Sequence, residues 1–325
     1  MIKVGIIGGA GYTAGELIRL LLNHAQVEID FVFSTSQSGS KVSKIHQDLV
    51  GATPLQFSSD INSEVDVVFL CLGHGNSKAF SEKHQFSKTT KIIDLSNDFR
   101  LKTDSKFQGK TFVYGLPELN KVAIKSAQYI ANPGCFATAI QLSLLPLAKE
   151  NLLEDDVHVN AVTGATGAGT TPSSTTHFAW RDTNFSSYKV FSHQHLGEIS
   201  ESVKGLQPDF EKDINFIPNR GNFSRGIFAS TYTSFDGTLE EAEKLYRDFY
   251  TEALFTTIAE DELHLKQVVN TNHCFLHLLK HKDKLLITGV LDNLLKGASG
   301  QAVQNMNLMF GIDESEGLKL KANYF

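Results

Sequence analysis

The stretch Val4-Gly5-Ile6-Ile7-Gly8-Gly9-Ala10-Gly11-Tyr12-Thr13-Ala14-Gly15-Glu16-Leu17 decides the fold of this chain. Residues 4–7 are a short apolar run. Glycines break it, and residues 16–22 then place Leu17, Leu20 and Leu21 on one helical face. Strand, glycine turn and helix together form the geometry that cradles a pyrophosphate. The glycines let the backbone approach, and N–H groups at the helix start face the phosphates. Gly8, Ala10, Gly11, Tyr12 and Thr13 are therefore the expected contacts of a dinucleotide. A plain tight turn is the competing reading, and its place after the first strand favours the cofactor.

The second strand, residues 27–33, ends at Ser34-Thr35-Ser36-Gln37-Ser38, with Lys41 beyond. An NAD-binding unit carries an acidic residue here for the ribose 2′-hydroxyl, and this chain has none. Hydroxyls and an ammonium suit a 2′-phosphate, so Ser36, Ser38 and Lys41 predict NADP. Residues 65–72 and 91–95 read as further strands of a parallel sheet covered on both faces. His74, in the turn after the first of these, reads as structural or cofactor-adjacent. This alternation of strand and helix predicts a doubly wound α/β domain.

Asn132-Pro133-Gly134-Cys135 follows another short strand, residues 129–131. From Cys135 onward, Phe136, Ile140, Leu144 and Leu147 recur at helical spacing, which puts the sulfur at a helix N-terminus. Unpaired N–H groups there favour negative charge and make a thiol a better nucleophile. A small buried hydrophobe is the competing reading.

The second half changes texture. Strands are expected at residues 157–162, 213–217, 226–233, 268–278 and 284–290, with a helix at 239–249 among them. Runs of strands predict an α+β domain with a mostly antiparallel sheet. Residues 163–170 read as a flexible, hydroxyl-rich loop. Helix 300–309, with a polar outer face, is expected to pack back on the first domain. His193 and His195 lie two apart, and one of them suits an acid–base partner for Cys135. No further ligand falls at a metal-site spacing, so no metal is expected.

A length of 325 residues suits two domains, and 41% hydrophobic with 20% charged residues is an ordinary soluble composition. The net charge of −6 argues against a nucleic-acid or membrane-surface role. Three cysteines make no disulfide framework and suit a reducing compartment. No signal peptide or spanning segment is recognised, so a cytoplasmic location is expected.

The chain resembles the N-acetyl-γ-glutamyl-phosphate reductase family of arginine biosynthesis over nearly its whole length. The resemblance rests on residues 8–17 (GGAGYTAGEL), 93–101 (IDLSNDFRL), 114–120 (YGLPELN), 132–135 (NPGC) and 163–169 (TGATGAG). It continues through 193–199 (HQHLGEI), Arg225-Gly226-Ile227 and 291–305 (LDNLLKGASGQAVQN). It implies an NADP-binding Rossmann domain of residues 1–134 completed by 298–325. It also implies a semialdehyde-dehydrogenase-like catalytic and oligomerisation domain, residues 135–297, assembled as a dimer or tetramer.

The family's chemistry implies Cys135 as nucleophile toward an acyl phosphate, with a thioester reduced by NADPH and inorganic phosphate released. His195, the second histidine of the HxH segment, is implied as acid–base catalyst. Arg100 and Asn132 correspond to phosphate-binding positions in semialdehyde dehydrogenases. His193, Arg225 and Tyr188 are candidate substrate contacts, and Asn293 is a candidate cofactor contact.

The chain departs from the family at Asn219, where histidine is usual, and at Thr170, where a basic residue is usual. Arg181 is the candidate replacement for that charge. With Trp180 it suggests a succinyl rather than an acetyl group on the substrate nitrogen. Aspartate-semialdehyde dehydrogenase is the same-class alternative, and a non-catalytic NADP-binding redox sensor is the alternative of another class.

Overall fold

The computed structural model describes residues 1–325 and divides them into two compact units. The first contains residues 1–133 and 298–319, and the second residues 134–297 and 320–325. The last six residues thus part from the expected 298–325 segment. Asn323 N donates to Val269 O at 3.0 Å, and Asn270 Nδ2 to Lys321 O at 3.1 Å, which ties the tail to the second unit.

In the first unit β1 (Ile2–Ile7) runs into helix α1 (Tyr12–Leu21) and then β2 (Val27–Phe33), β3 (Phe57–Ser58) and β4 (Val67–Leu70). Helix α2 (Asn76–Lys83) and β5 (Lys91–Asp94) follow. A small hairpin, β6 (Lys106–Phe107) and β7 (Lys110–Thr111), turns through Gln108 and Gly109 at positive φ. Then come β8 (Val113–Tyr114), α3 (Pro117–Ser126) and β9 (Tyr129–Ala131). The sheet order is β3-β2-β1-β4-β5-β9-β8, and the pairings are parallel. Val4, Ile6, Ile7 and all of β4 are buried, as parallel strands covered on both faces require. Helix α1 begins at Tyr12, one turn earlier than apolar spacing alone suggests, because Gly15 N already bonds Gly11 O.

The helix Gly300–Phe310 belongs to this first unit. Its expected polar outer face is buried as well. Asn305 Nδ2 donates to Gly115 O at 2.8 Å and to Asn132 Oδ1 at 3.0 Å. Asn307 takes His24 on one side and the carbonyl of Glu316 on the other. Backbone carbonyls and neighbouring side chains take up the donors of both amides, which lowers the cost of their burial.

The second unit opens with α4 (Cys135–Lys149), nearly all buried, then β10 (Val157–Thr163), a short helix α5 (Phe178–Arg181) and β11 (Ser186–Ser187). Helix α6 (His195–Leu206), β12 (Ile214–Arg220), β13 (Ile227–Ser234) and α7 (Leu239–Phe249) follow. Strands β14 (Thr256–Ile258), β15 (Cys274–His281) and β16 (Lys284–Leu291) complete it. The sheet order is β11-β12-β10-β13-β16-β15-β14. The β10–β12 and β14–β15 pairs are parallel and the others antiparallel. Strand β15 starts at Cys274, six residues later than expected. Asn270 at φ 74° and the Thr271 hydroxyl on Val268 O make a turn of what reads as strand.

The loop after β10 is an ordered 3₁₀ turn, Ala165–Ala168, rather than a flexible segment. Ala165 N and Thr166 N bond the carbonyls of Phe223 and Ser224. A Cβ on Gly164 would lie 2.4 Å from Ser224 O, so this approach requires glycine.

Candidate active site

The first unit supplies a cradle for a dinucleotide. Gly8 holds φ +80°, and a Cβ there would fall 2.6 Å from the carbonyl of Cys71. Gly11 is the N-cap of α1, and the first helical bond runs from Gly15 N to Gly11 O. The N–H groups of Tyr12, Thr13 and Ala14 therefore lie in the first turn with no acceptor along the helix. Such a turn favours phosphate.

Ser36, Ser38 and Lys41 are exposed beyond β2, and no acidic side chain stands among them. His46 ties this loop to the glycine turn: its Nε2 donates to Gly9 O at 2.7 Å. The same ring fills the space above Gly15, where a Cβ would lie 2.5 Å from Nδ1. Sequence reading overlooked His46, which lies outside the glycine motif. Burial pushes the Cys71 thiol up to about 12, so it remains protonated.

Arg100 and Asn132 lie together in this unit. Arg100 Nε donates to Asn132 O at 2.8 Å and Nη2 to Leu95 O at 3.0 Å. The Asn132 amide donates to Ala298 O and accepts from Asn305. Asp94 has its carboxyl pushed up to about 6 by burial, against the Ser96 hydroxyl, which donates to its Oδ2 at 2.7 Å, and the charge of Arg100.

The second unit builds the surroundings of Cys135. Gly134 caps α4, and Cys135 is its first residue, partly exposed while the rest of the first turn is buried. First-turn N–H groups favour negative charge on its Sγ. The backbone N–H of Gly134 donates to Glu198 Oε2 at 2.9 Å, and Glu198 Oε1 lies 4.0 Å from His195 Nε2. His195 and Glu198 are one turn apart on α6, so a single helix presents both to the start of α4. The His195 ring lies against Gly134. Glu198 belongs to the HQHLGEI motif but did not stand out as a site residue, because its partner is 64 positions away.

His193 accepts from His195 N through Nδ1 at 3.2 Å, which leaves its proton on Nε2. Its ring meets Phe136, Tyr188, His195 and Phe216 with centroids 4.6–5.7 Å apart. Tyr188 is held neutral: burial first, then the charge of Cys135, raise its hydroxyl to about 12, opposed by Arg220. Gly297 also shapes the site, since a Cβ there would lie 2.7 Å from Cys135 Cβ.

Three expected contacts have other work within the second unit. Arg181 is 6% exposed, and Nη1 donates to Arg220 O at 2.7 Å while Nη2 donates to Ser186 Oγ at 3.0 Å. Its fork holds the end of β12, so it does not stand free at the site mouth. Trp180 lies on its guanidinium at 4.7 Å. Asn293 accepts from Gly226 N at 2.7 Å and donates to Thr166 Oγ1 at 3.0 Å, bracing the loop after β10. Arg225 pairs with Asp292 at 2.9 Å. Asn219, where a histidine was expected, links Ser187 to Asn160. No cluster of side chains suits a metal ion, and no helix is long and apolar enough to cross a membrane.

Comparisons with known proteins fit this geometry. The family described as "Semialdehyde dehydrogenase, NAD binding domain" matches residues 3–127, and "Semialdehyde dehydrogenase, dimerisation domain" matches residues 135–293. The chain is 66% identical to the N-acetyl-γ-glutamyl-phosphate reductase of Christiangramia forsetii over 325 residues, all of both chains. It is 59% identical to that of Flavobacterium johnsoniae and 54% to that of Bacteroides thetaiotaomicron, again over 100% of each chain. The fold is similar to aspartate semialdehyde dehydrogenase II of Vibrio cholerae, with a TM-score of 0.71 and 16% identity over 96% of this chain and 98% of that one. The Candida albicans aspartate semialdehyde dehydrogenase solved with NADP gives 0.67 and 13% over 95% and 98%.

Proposed function

This chain belongs to the N-acetyl-γ-glutamyl-phosphate reductase family, and from that membership we propose that it reduces N-acyl-γ-glutamyl phosphate to N-acylglutamate semialdehyde with NADPH, in arginine biosynthesis. The observation that carries the reading is the start of α4. Cys135 sits on a glycine cap whose N–H is held by Glu198, with His195 against the same glycine.

In this mechanism Sγ of Cys135 attacks the γ-carbonyl carbon. A C–S bond forms, the C–O bond to phosphate breaks, and inorganic phosphate leaves a thioester on Cys135. NADPH, which the glycine turn and the loop with Ser36, Ser38 and Lys41 would hold, would supply hydride for the thioester carbonyl. His195 protonates the oxygen of the resulting thiohemiacetal and takes that proton back as the C–S bond breaks, freeing aldehyde and thiolate. Glu198 holds the N–H of Gly134 and lies 4.0 Å from the imidazole, so it ties α6 to the start of α4. Backbone N–H groups at the start of α4 oppose the oxyanion charge. Neutral Tyr188 and the His193 ring packed on it line the substrate side.

The glycine turn and the acid-free loop with Ser36, Ser38 and Lys41 support NADP as the cofactor. Arg100 is read as a phosphate contact. A cytoplasmic homo-oligomer is part of the same reading, supported by the match to a dimerisation domain.

The test is reduction of NADP with N-acetylglutamate semialdehyde, with and without phosphate, and with aspartate semialdehyde as control. Turnover should require phosphate and the acylated substrate. A preference for aspartate semialdehyde, or turnover independent of phosphate, would reject the assignment.

A further inference from the structure

Arg220 ends β12. Its guanidinium carbon lies 4.7 Å from the centroid of the Tyr188 ring, so the cation rests on that aromatic face. Tyr188 in turn feels the charge of Cys135 and packs edge-on against His193 at 5.7 Å. Arg220 therefore stands one side chain away from the nucleophile.

Arg181 is its neighbour. The two charges oppose each other, and Nη1 of Arg181 holds the Arg220 carbonyl at 2.7 Å. No carboxylate pairs with either arginine, and the Nε atom of each is buried without a partner. Another partly buried arginine of this unit is treated differently: Arg225 has Asp292 at 2.9 Å. Two like charges in a half-buried site without a counter-ion are unfavourable, and an incoming anion relieves them. A guanidinium fork matches a carboxylate through two parallel hydrogen bonds.

We propose that Arg220, held in place by Arg181, binds a carboxylate of the substrate beside Cys135. The inference rests on the reductase reading above. It also supplies the cation that Thr170 lacks, from a strand end rather than from the glycine-rich loop. Two substrate groups share the required chemistry: the α-carboxylate of the glutamyl part, and the terminal carboxylate of a dicarboxylic N-acyl group such as succinyl.

The experiment compares wild type, Arg220→Leu and Arg220→Lys on three aldehydes, with NADP and phosphate. These are N-acetylglutamate semialdehyde, N-succinylglutamate semialdehyde and N-acetyl-γ-aminobutyraldehyde, which lacks the α-carboxylate. Arg220→Leu should raise KM by about 10–100-fold with kcat changed far less, the usual loss for a charge-assisted hydrogen bond. Arg220→Lys should recover part of this. An equal loss on both acylglutamate semialdehydes, absent on the aminobutyraldehyde, assigns the α-carboxylate. A loss confined to the succinyl substrate assigns the acyl arm.

Unchanged KM on all three aldehydes overturns the proposal, and so does an equal loss on all three. A rise confined to the KM of phosphate overturns it in favour of a phosphate site. If Arg220→Leu does not fold, the same pattern at smaller size is required of Arg220→Lys. A wild type inactive on both acylglutamate semialdehydes would reject the reductase reading itself.

Discussion

Gly134 and His195 meet through the glycine's missing side chain: a Cβ built on Gly134 would lie 2.3 Å from Nε2 of His195 and 2.6 Å from its Cε1. The imidazole thus occupies the space next to the residue preceding Cys135, the proposed nucleophile. Gly134→Ala must displace either the ring or the cap of α4. A misplacement of about 1 Å costs on the order of 10²-fold in rate. The variant should fold and bind NADPH while kcat falls by about that factor. A kcat within threefold of wild type would show that the ring and the nucleophile are not coupled through this contact.

The three cysteines should differ in reactivity. Cys135 begins a helix and is partly exposed, the Cys71 thiol is pushed up to about 12 by burial, and Cys274 is fully buried. Mild iodoacetamide treatment at neutral pH should label Cys135 first and stop turnover in proportion. Cys135→Ala should keep the fold and lose turnover. Peptide mapping that finds Cys71 labelled at the same rate would contradict this ordering.

His195→Asn should lower kcat by about 10²–10⁴-fold, as loss of a general acid–base does. His193→Asn should act mainly on KM, because that ring packs among Phe136, Tyr188 and Phe216. Glu198→Gln retains an acceptor for Gly134 N and removes only the charge beside His195, so its kcat should fall by less than that of His195→Asn. Steady-state kinetics on the three variants decide the order, and a larger kcat effect at His193 would move the proton-transfer role there.

The loop after β2 should set cofactor choice through both charge and placement. Lys41→Ala should lower the NADPH over NADH preference by about tenfold, the scale of one charge-assisted bond. His46→Ala frees the loop from Gly9 O and should raise KM for NADPH with kcat near wild type. His46→Gln, which keeps an N–H donor, should recover part of that rise. Unchanged cofactor KM in His46→Ala would sink the bracing role.

Asp94 gives the fold a pH dependence of defined sign. Its carboxyl rises from 3.8 to about 6, chiefly by burial. The folded chain therefore favours its protonated form. The group's contribution to stability is full below its unfolded value and is lost as pH rises through about 6. Asp94→Asn should remove this loss, so stability relative to wild type should improve by roughly 1–3 kcal/mol on going from acidic to neutral pH. Urea unfolding at the two pH values measures it, and a difference that shrinks toward neutral pH would reverse the sign.

The glycine turn after β1, the acid-free end of β2 and the cysteine opening α4 were legible in the sequence. Each depends on residues within a few positions of one another, where strand period, positive φ and helix-end N–H groups act locally. The α7 helix was legible to the residue because Thr238 and Glu241 close a capping box at its start. Cys274 as the start of β15, and the ordered turn after β10, were not, because side-chain bonds to distant or turn carbonyls decided them.

The arginines separate the two kinds of information most clearly. Sequence alone determined that the chain lacks a basic residue at Thr170 and carries Arg181 nearby. Only the tertiary structure decided that Arg181 turns to the carbonyl of Arg220, 39 positions away, and that Arg220 lies on Tyr188. In the same way it brought Glu198 to Gly134 across 64 positions. Local sequence sets backbone conformation and helix ends. Where a long polar side chain finds its partner depends on which strand ends and helix starts are packed side by side, and that is settled only when the sheet of the second unit has formed.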